Sequence, residues 1–583
     1  FTDAQAYDDI QEHLASQTPF EGREPINEFA YDAAGKVASI TDTMTGRTVF
    51  TYAQSSATAK TYEDMNNANV YSTDVYSYDS GGRLSSLSKN GRTTSYTYTD
   101  NGEVASVTDP DGKTSNYVYD ANGNITSYTD RTGMTTQYTY DTGMISPKTV
   151  TEKKNDTVLK TTHYTYNADG LPTSAYTAGT RTKTFTEYIT SGTNRGKISR
   201  EISVTGSDPQ NPITQNTAFS ESMLTNSSYY ATVMTYTYDG MGNQTSSANG
   251  SLVTTSAYGQ NGLQTSSSDG QLTTSYTYNA MGDATENIQS AGSASRTQST
   301  GYDKLGNVTS STDAMNYETS TKYNNMNEEI KSISPTSIVT QTVYGIGTFM
   351  NQSRRYMLQT TASSSEYLTV YNEHGDVILE GNVWLSSSLT PETKSDGTNT
   401  VSVLMSFTIG ENNIKYLLTH TYTTYDSMGR VTYTSNEAGD STSYSYDASG
   451  NITDETVITG NKANVTINTY DEYGRLTSTR TDVHKRPNKD SYMSLAKTGV
   501  TTTYTYDIQG RVLSETLSQG ENSLTTNTFT YDTVSDGMLK STTKDAKDRV
   551  TERFTNARGQ LVKERYLVKN SNGNYVEKYH TVY

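Results

Sequence analysis

The chain has 583 residues, of which 32% are hydrophobic, with 48 Tyr, 43 Gly, 10 Phe, one Trp and no Cys, and its 45 basic and 63 acidic side chains leave a net charge of −18. So low an apolar content excludes an ordinary Leu/Ile-rich core, and the lack of Cys excludes a disulfide framework, Cys-ligated zinc and a thiol nucleophile. The basic residues are dispersed, which excludes the footprint of a nucleic-acid-binding surface, and apolar stretches such as Val401 to Phe407 fall far short of a membrane span.

In chain order, residues 1–28 stand apart. The chain opens at Phe1 with no Met, basic n-region or h-region, so it reads as a piece of a longer or processed polypeptide, and Asp3 to Gln17 reads as a short helix or a linker. From residue 29 to 583 we expect a single array built on one unit, Tyr-(Asp/Asn)-x-x-Gly. Its defining pairs are Tyr31 and Gly35, Tyr78 and Gly82, Tyr98 and Gly102, Tyr119 and Gly123, Tyr166 and Gly170, Tyr238 and Gly242, Tyr278 and Gly282, and Tyr302 and Gly306. They continue with Tyr371 and Gly375, Tyr425 and Gly429, Tyr446 and Gly450, Tyr470 and Gly474, and Tyr506 and Gly510. Spacings such as 78 to 98 to 119 and 425 to 446 to 470 lie in the range of repeat architectures.

Each unit predicts a β-hairpin. Upstream of the turn, alternation such as Ser95-Tyr96-Thr97-Tyr98 places the rings on one face and the hydroxyl residues on the other. The Asp or Asn bonds its own backbone two residues on, and the Gly supplies the positive φ of a short hairpin loop. A second strand follows, as in Arg430-Val431-Thr432-Tyr433, and a further turn such as Asp109-Pro110-Asp111-Gly112 leads into the next unit. A two-stranded hairpin is marginal alone in water, so the units must pair edge to edge in one continuous sheet, and helix should be scarce. Two stretches break the rhythm, about 188–233 and about 330–420. Both read as repeats with long insertions, and the second holds Trp384 and the most apolar strand, Val401 to Phe407.

Units such as Tyr78-Asp79-Ser80-Gly81-Gly82-Arg83-Leu84, Tyr425-Asp426-Ser427-Met428-Gly429-Arg430-Val431 and Tyr470-Asp471-Glu472-Tyr473-Gly474-Arg475-Leu476 resemble the RHS/YD-repeat family of bacterial polymorphic toxins, wall-associated proteins, insecticidal Tc-toxin cocoons and animal teneurins. The resemblance runs from Phe29 to about Gly559. It implies an all-β fold in which tandem hairpins form a spiralling sheet and a hollow barrel or cocoon. It also implies a non-catalytic shell of a larger secreted or cell-surface bacterial protein, partnered by the rest of its own polypeptide or by an enclosed toxin cargo. The family's C-terminal core region, with its autoproteolytic Asp residues and DPxGL-like signature, has no counterpart in this sequence, so no Asp takes a protease role by resemblance.

Sharper chemistry finds little footing. His13, His163, His374, His420, His484 and His580 are scattered without ligand spacing, and no GxSxG elbow occurs. Asp111-Gly112-Lys113-Thr114 resembles the end of a phosphate loop, but Val107 stands where its first Gly belongs, so it reads as a turn. Oxygen-rich loops such as Asp120-Ala121-Asn122-Gly123-Asn124 lack the distal Glu of a calcium loop. The sequons at Asn124, Asn243, Asn307 and Asn451 follow turn glycines, where turn chemistry explains them. No enzyme activity, metal or cofactor is expected. The competing reading is an adhesin or carbohydrate-binding array whose aromatics stack on cell-surface glycans.

Overall fold

A computed structural model describes residues 27–42, 46–62, 70–206, 213–324, 327–361, 365–383, 406–409, 413–460, 462–485 and 499–583. Asp3 to Gln17, Trp384 and Val401 to Met405 lie outside these residues, while Asn27 and Glu28 are already in a strand. Among the described residues there are 44 strands, numbered in chain order from β1 (Asn27–Tyr31) to β44 (Tyr575–Val582), and one short 3-10 turn, Glu221–Leu224. All 44 strands belong to one sheet, and their pairings are antiparallel. Short turns join consecutive strands, so an up-and-down meander is the geometrically cheapest course.

The faces follow the sequence alternation. In β38 (Val500–Tyr506), Tyr504 and Tyr506 are half-buried, whereas Thr503 and Thr505 on the opposite face are exposed. Few residues are fully buried, and the buried apolar ones gather mainly where the rhythm breaks.

At the first break, residues 213–228, between β16 (Ile198–Gly206) and β17 (Tyr229–Tyr238), fold over the hydroxyl face of the sheet. There Phe219, Met223 and Leu224 pack on a cluster of Phe185, Ile202, Val204, Ile213 and Ala231. The buried ammonium of Lys183 pins this overlay by donating to the carbonyls of Gln215 at 2.7 Å and Thr217 at 2.8 Å.

At the second break the sheet closes on itself. Strands β27 (Val339–Phe349), β28 (Gln352–Thr361), β29 (Glu366–Tyr371) and β30 (Val377–Val383) pair in order. Strand β30 then pairs with β32 (Asn413–Tyr425), and β31 (Ser406–Ile409) bridges β32 back to β27. The result is a six-stranded ring whose interior holds Leu368, Val370, Leu379, Phe407 and Leu417, all fully buried. Gly347 makes room for this core: a Cβ there would stand 2.4 Å from the Phe407 ring and 2.6 Å from the Thr408 carbonyl. The five strands other than β31 remain part of the main meander, so the ring grows out of the array.

The strip also winds back upon itself. Arg92 meets Asp376, Arg181 meets the Tyr531 carbonyl, Tyr230 meets the Asn556 carbonyl, and Ser251 meets Arg558. These partners are separated by 284, 350, 326 and 307 residues respectively. In each case a strand end on the rim opposite the Tyr-(Asp/Asn)-x-x-Gly turns of the first coil touches that turn-bearing rim of the second. Strand twist of constant hand makes a long sheet curl, and the result is a spiralling shell one sheet thick.

The C-terminal end of the array is regular: β43 (Leu561–Lys569) and β44 continue the ladder, and all eight residues of β44 are exposed. Tyr575, Val576 and Tyr579 are residue types that favour strands, in keeping with the continued ladder.

Candidate functional site

The unit at Tyr446 shows how a repeat turns. Asp447 N–H donates to the Asn451 carbonyl at 3.0 Å, and Gly450 N–H donates to the Asp447 carbonyl at 3.1 Å. One carboxylate oxygen of Asp447 accepts the N–H groups of Ser449 and Asn451, both at 2.9 Å, and the other accepts the Asn451 side-chain amide at 3.0 Å. Gly450 sits at φ +92°, and the register shifts by one residue just before Tyr446, the pattern of a type I turn followed by a glycine bulge. The motif glycines Gly35, Gly82, Gly102, Gly123, Gly242, Gly306, Gly429, Gly474 and Gly510 share the positive φ. Where Arg follows the Gly, it binds the turn carboxylate instead, as Arg430 does on Asp426 at 2.7 Å. The Tyr98 unit has Thr99 in the Asp position, and its hydroxyl accepts Glu103 N–H at 3.2 Å. The Asn124 and Asn243 side-chain amides hold the carboxyls of Asp120 and Asp239 below the usual carboxylate range, with backbone N–H groups adding to the effect.

A second regularity was not legible in the sequence. The motif Tyr hydroxyl donates to the carbonyl two residues after the Gly of the preceding unit. Tyr98 reaches Leu84 at 2.7 Å, Tyr119 reaches Val104 at 2.9 Å, and Tyr302 reaches Ala284 at 3.0 Å. Tyr425 reaches Val377 at 2.7 Å, Tyr446 reaches Val431 at 2.6 Å, Tyr470 reaches Ile452 at 2.9 Å, and Tyr506 reaches Leu476 at 2.6 Å. Burial pushes the phenols of Tyr119, Tyr425, Tyr446, Tyr470 and Tyr506 up, so each keeps the proton it donates. These Tyr rings are half-buried cross-links between units rather than core residues. Tyr31, on the edge strand β1, is largely exposed, Tyr78 lies at the margin of exposure, and the Tyr238 ring lies under the Lys197 ammonium at 5.2 Å.

The residue after the Gly completes the cross-link. The guanidinium of Arg83 lies 4.7 Å from the Tyr98 ring centre, that of Arg430 lies 4.7 Å from Tyr446, and that of Arg475 lies 4.8 Å from Tyr506. Arg475 also donates to the Asp507 carbonyl at 2.9 Å. One side chain therefore ties its own turn Asp to the Tyr and turn of the next unit, a use of the planar guanidinium that Lys does not reproduce. The family pattern of Arg after Gly was visible in the sequence, but its partner was not.

Among the described residues outside the turns, the histidines have separate partners. His163 stacks on Tyr176, His580 meets Glu577 at 2.6 Å, and the buried ring of His420 has its pKa pushed down by burial. Among the described residues no cluster of His, Asp and Glu stands close enough to hold a metal ion. The amides of Asn124, Asn243, Asn307 and Asn451 are engaged with the turn carboxylates. A cleft of about 870 Å³ lies where the two coils meet, between Lys89 and Arg92 on one side and Tyr371 to Gly375 on the other. Its arginines already face carboxylates: Arg92 with Asp376, Arg354 with Glu373, and Arg355 with Glu328.

A family model described as RHS Repeat matches residues 78–114 and 119–151, the stretch carrying the Tyr78, Tyr98 and Tyr119 units. No curated protein matches the chain. Among solved structures, the chain is similar to the crystal structure of TcdB2-TccC3-Cdc42, at 12% identity over 95% of this chain and 30% of that one, with a TM-score of 0.37. It is also similar to a Tc holotoxin pore of Photorhabdus luminescens, at 13% identity over 97% of this chain and 30% of that one, with a TM-score of 0.37. The chain thus spans under a third of either structure's length. The repeat match falls on units whose turn, bulge and register recur from Gly35 to Gly510. Residues 78–114 and 119–151 thus carry the RHS Repeat.

Proposed function

We propose that this chain is a non-catalytic wall: a shell segment of a larger, secreted or cell-surface bacterial protein that encloses or presents another part of its own polypeptide, such as a C-terminal toxin. The observation that carries this reading is the winding itself. A single sheet whose second coil rests on its first encloses space without filling it, and the apolar clusters sit at the two breaks rather than at a common centre. The chemistry of the repeat serves cohesion, because the turn carboxylates hold their own turns while the Tyr hydroxyls and arginines tie neighbouring units. No helix among the described residues is long and apolar enough to cross a membrane.

The glycan-binding alternative gains no support from the geometry. Several motif rings already carry a guanidinium on one face and donate their hydroxyls to the backbone, so they do not offer a free platform to a sugar. Small-angle scattering tests the wall. A compact globule of this length has a radius of gyration of about 25 Å, whereas a shell gives a larger value and a distance distribution weighted to long vectors. A compact solid profile would refute the reading.

A further inference from the structure

We propose that the line along which the second coil stacks on the first is an openable seam, at which the wall parts while every strand keeps its sheet neighbours; the inference rests on the shell reading above. Within a coil, cohesion is a continuous backbone ladder, as in the nine partner pairs between β36 (Lys462–Tyr470) and β37 (Leu476–Lys485). Between the two coils no strands pair among the described residues. The links are isolated contacts at the rims, one of them between backbones, where Gly537 N–H donates to the Ser227 carbonyl at 3.2 Å, and the rest through side chains. Arg92 pairs with Asp376 at 2.7 Å, Arg181 donates to the Tyr531 carbonyl at 3.0 Å, Tyr230 donates to the Asn556 carbonyl at 3.0 Å, and Arg558 donates to Ser251 at 2.8 Å. The Arg92 and Asp376 side chains are each about a fifth exposed, so solvent and salt reach them.

The seam is also imperfectly filled. A cleft of about 870 Å³ lies on it, beside Arg92 and the Asn372 to Gly375 turn. The wall is therefore laddered in one direction and pinned at points in the other, and separating the coils breaks only the pins. The resulting slit is bordered by turns and polar side chains, an opening suited to water and to an extended polypeptide segment passing between the interior and the outside.

The test combines Arg92→Ala, Arg181→Ala and Arg558→Ala in the whole chain, followed by scattering and circular dichroism at low salt and in about 1 M NaCl, where the screening length falls to about 3 Å. The expected result is a larger radius of gyration and maximum dimension with the sheet spectrum unchanged, and a shift of the parent in the same direction at high salt. Because the chain has no Cys, Ser251→Cys with Arg558→Cys joined by a short bis-maleimide forms a single clamp, which should abolish the salt-induced shift. Unchanged dimensions in the triple variant, or loss of the sheet spectrum along with the expansion, overturns the seam. A parent that scatters as a compact solid overturns the shell reading instead.

Discussion

Replacing Tyr446 with Phe isolates the cross-link between units. The substitution keeps a ring beneath the Arg430 guanidinium, 4.7 Å away, and removes only the hydroxyl that donates to the Val431 carbonyl at 2.6 Å. A lost intramolecular hydrogen bond of this kind costs about 1 kcal/mol, equivalent to about a fivefold rise in the local opening constant. Repeat arrays lose stability near the lesion, so the effect belongs to β33 (Val431–Asn436), β34 (Ser441–Tyr446) and β35 (Ile452–Thr459), while β9 (Thr114–Tyr119) stays at the parent rate. Amide hydrogen exchange by mass spectrometry on those segments reads this directly. Tyr446→Ala also removes the stacked, half-buried ring and should cost about 3 kcal/mol in total. If Tyr446→Phe exchanges like the parent, the hydroxyl does not hold the units together. If Tyr446→Ala then costs no more than about 1 kcal/mol, the Arg stack contributes nothing either.

Gly450→Val forces a β-branched side chain to φ +92° and should cost roughly 2 kcal/mol or more; an unchanged denaturation midpoint would contradict the bulged turn. Phe407→Ala empties the centre of the six-stranded ring and should cost about 3 to 5 kcal/mol, read as faster exchange confined to β27 through β32; exchange unchanged there would show that the ring is not a packed unit. Acid should weaken the array. The carboxyls of Asp79, Asp120 and Asp239 titrate lower in the folded chain than unfolded, and Lys544 and Lys569 hold Asp548 down to about 2. Their contribution is complete above the unfolded value near pH 4 and is lost as pH falls through the folded values, so the urea midpoint should drop below about pH 4. A flat midpoint between about pH 5 and 2 would refute that. Far-ultraviolet circular dichroism should be sheet-dominated, and a helix content near a third would refute the fold.

The legible part of this protein is its local chemistry. Tyr/Thr alternation, Asp or Asn at the turn and Gly at positive φ act over four or five residues, and the bulged turn at Tyr446 to Gly450 follows from those residues alone. The Tyr hydroxyl bond to the preceding unit spans fifteen residues at Tyr446, but thirty at Tyr506 and forty-eight at Tyr425, because connections of varied length intervene. Ring spacing in the sequence indicated a shared aromatic face; it did not indicate which carbonyl would stand opposite each hydroxyl once neighbouring hairpins paired. The readings of turn and strand therefore carried through to the site, while the Arg–Tyr–carbonyl cross-link did not.

Sequence by itself determined an all-β array of hairpins, because that rests on backbone preferences that neighbouring residues express on their own. Tertiary structure alone decided three further things. It made β31 close a ring by pairing with β27, some sixty residues upstream. It laid Phe219 and Leu224 over Ile202 and Val204. It brought Arg92 beneath Asp376 across 284 residues. The physical reason is accumulation: each strand adds a small twist, and the place where a coil meets its predecessor depends on the sum over more than twenty strands, a quantity that no local pattern of residues carries.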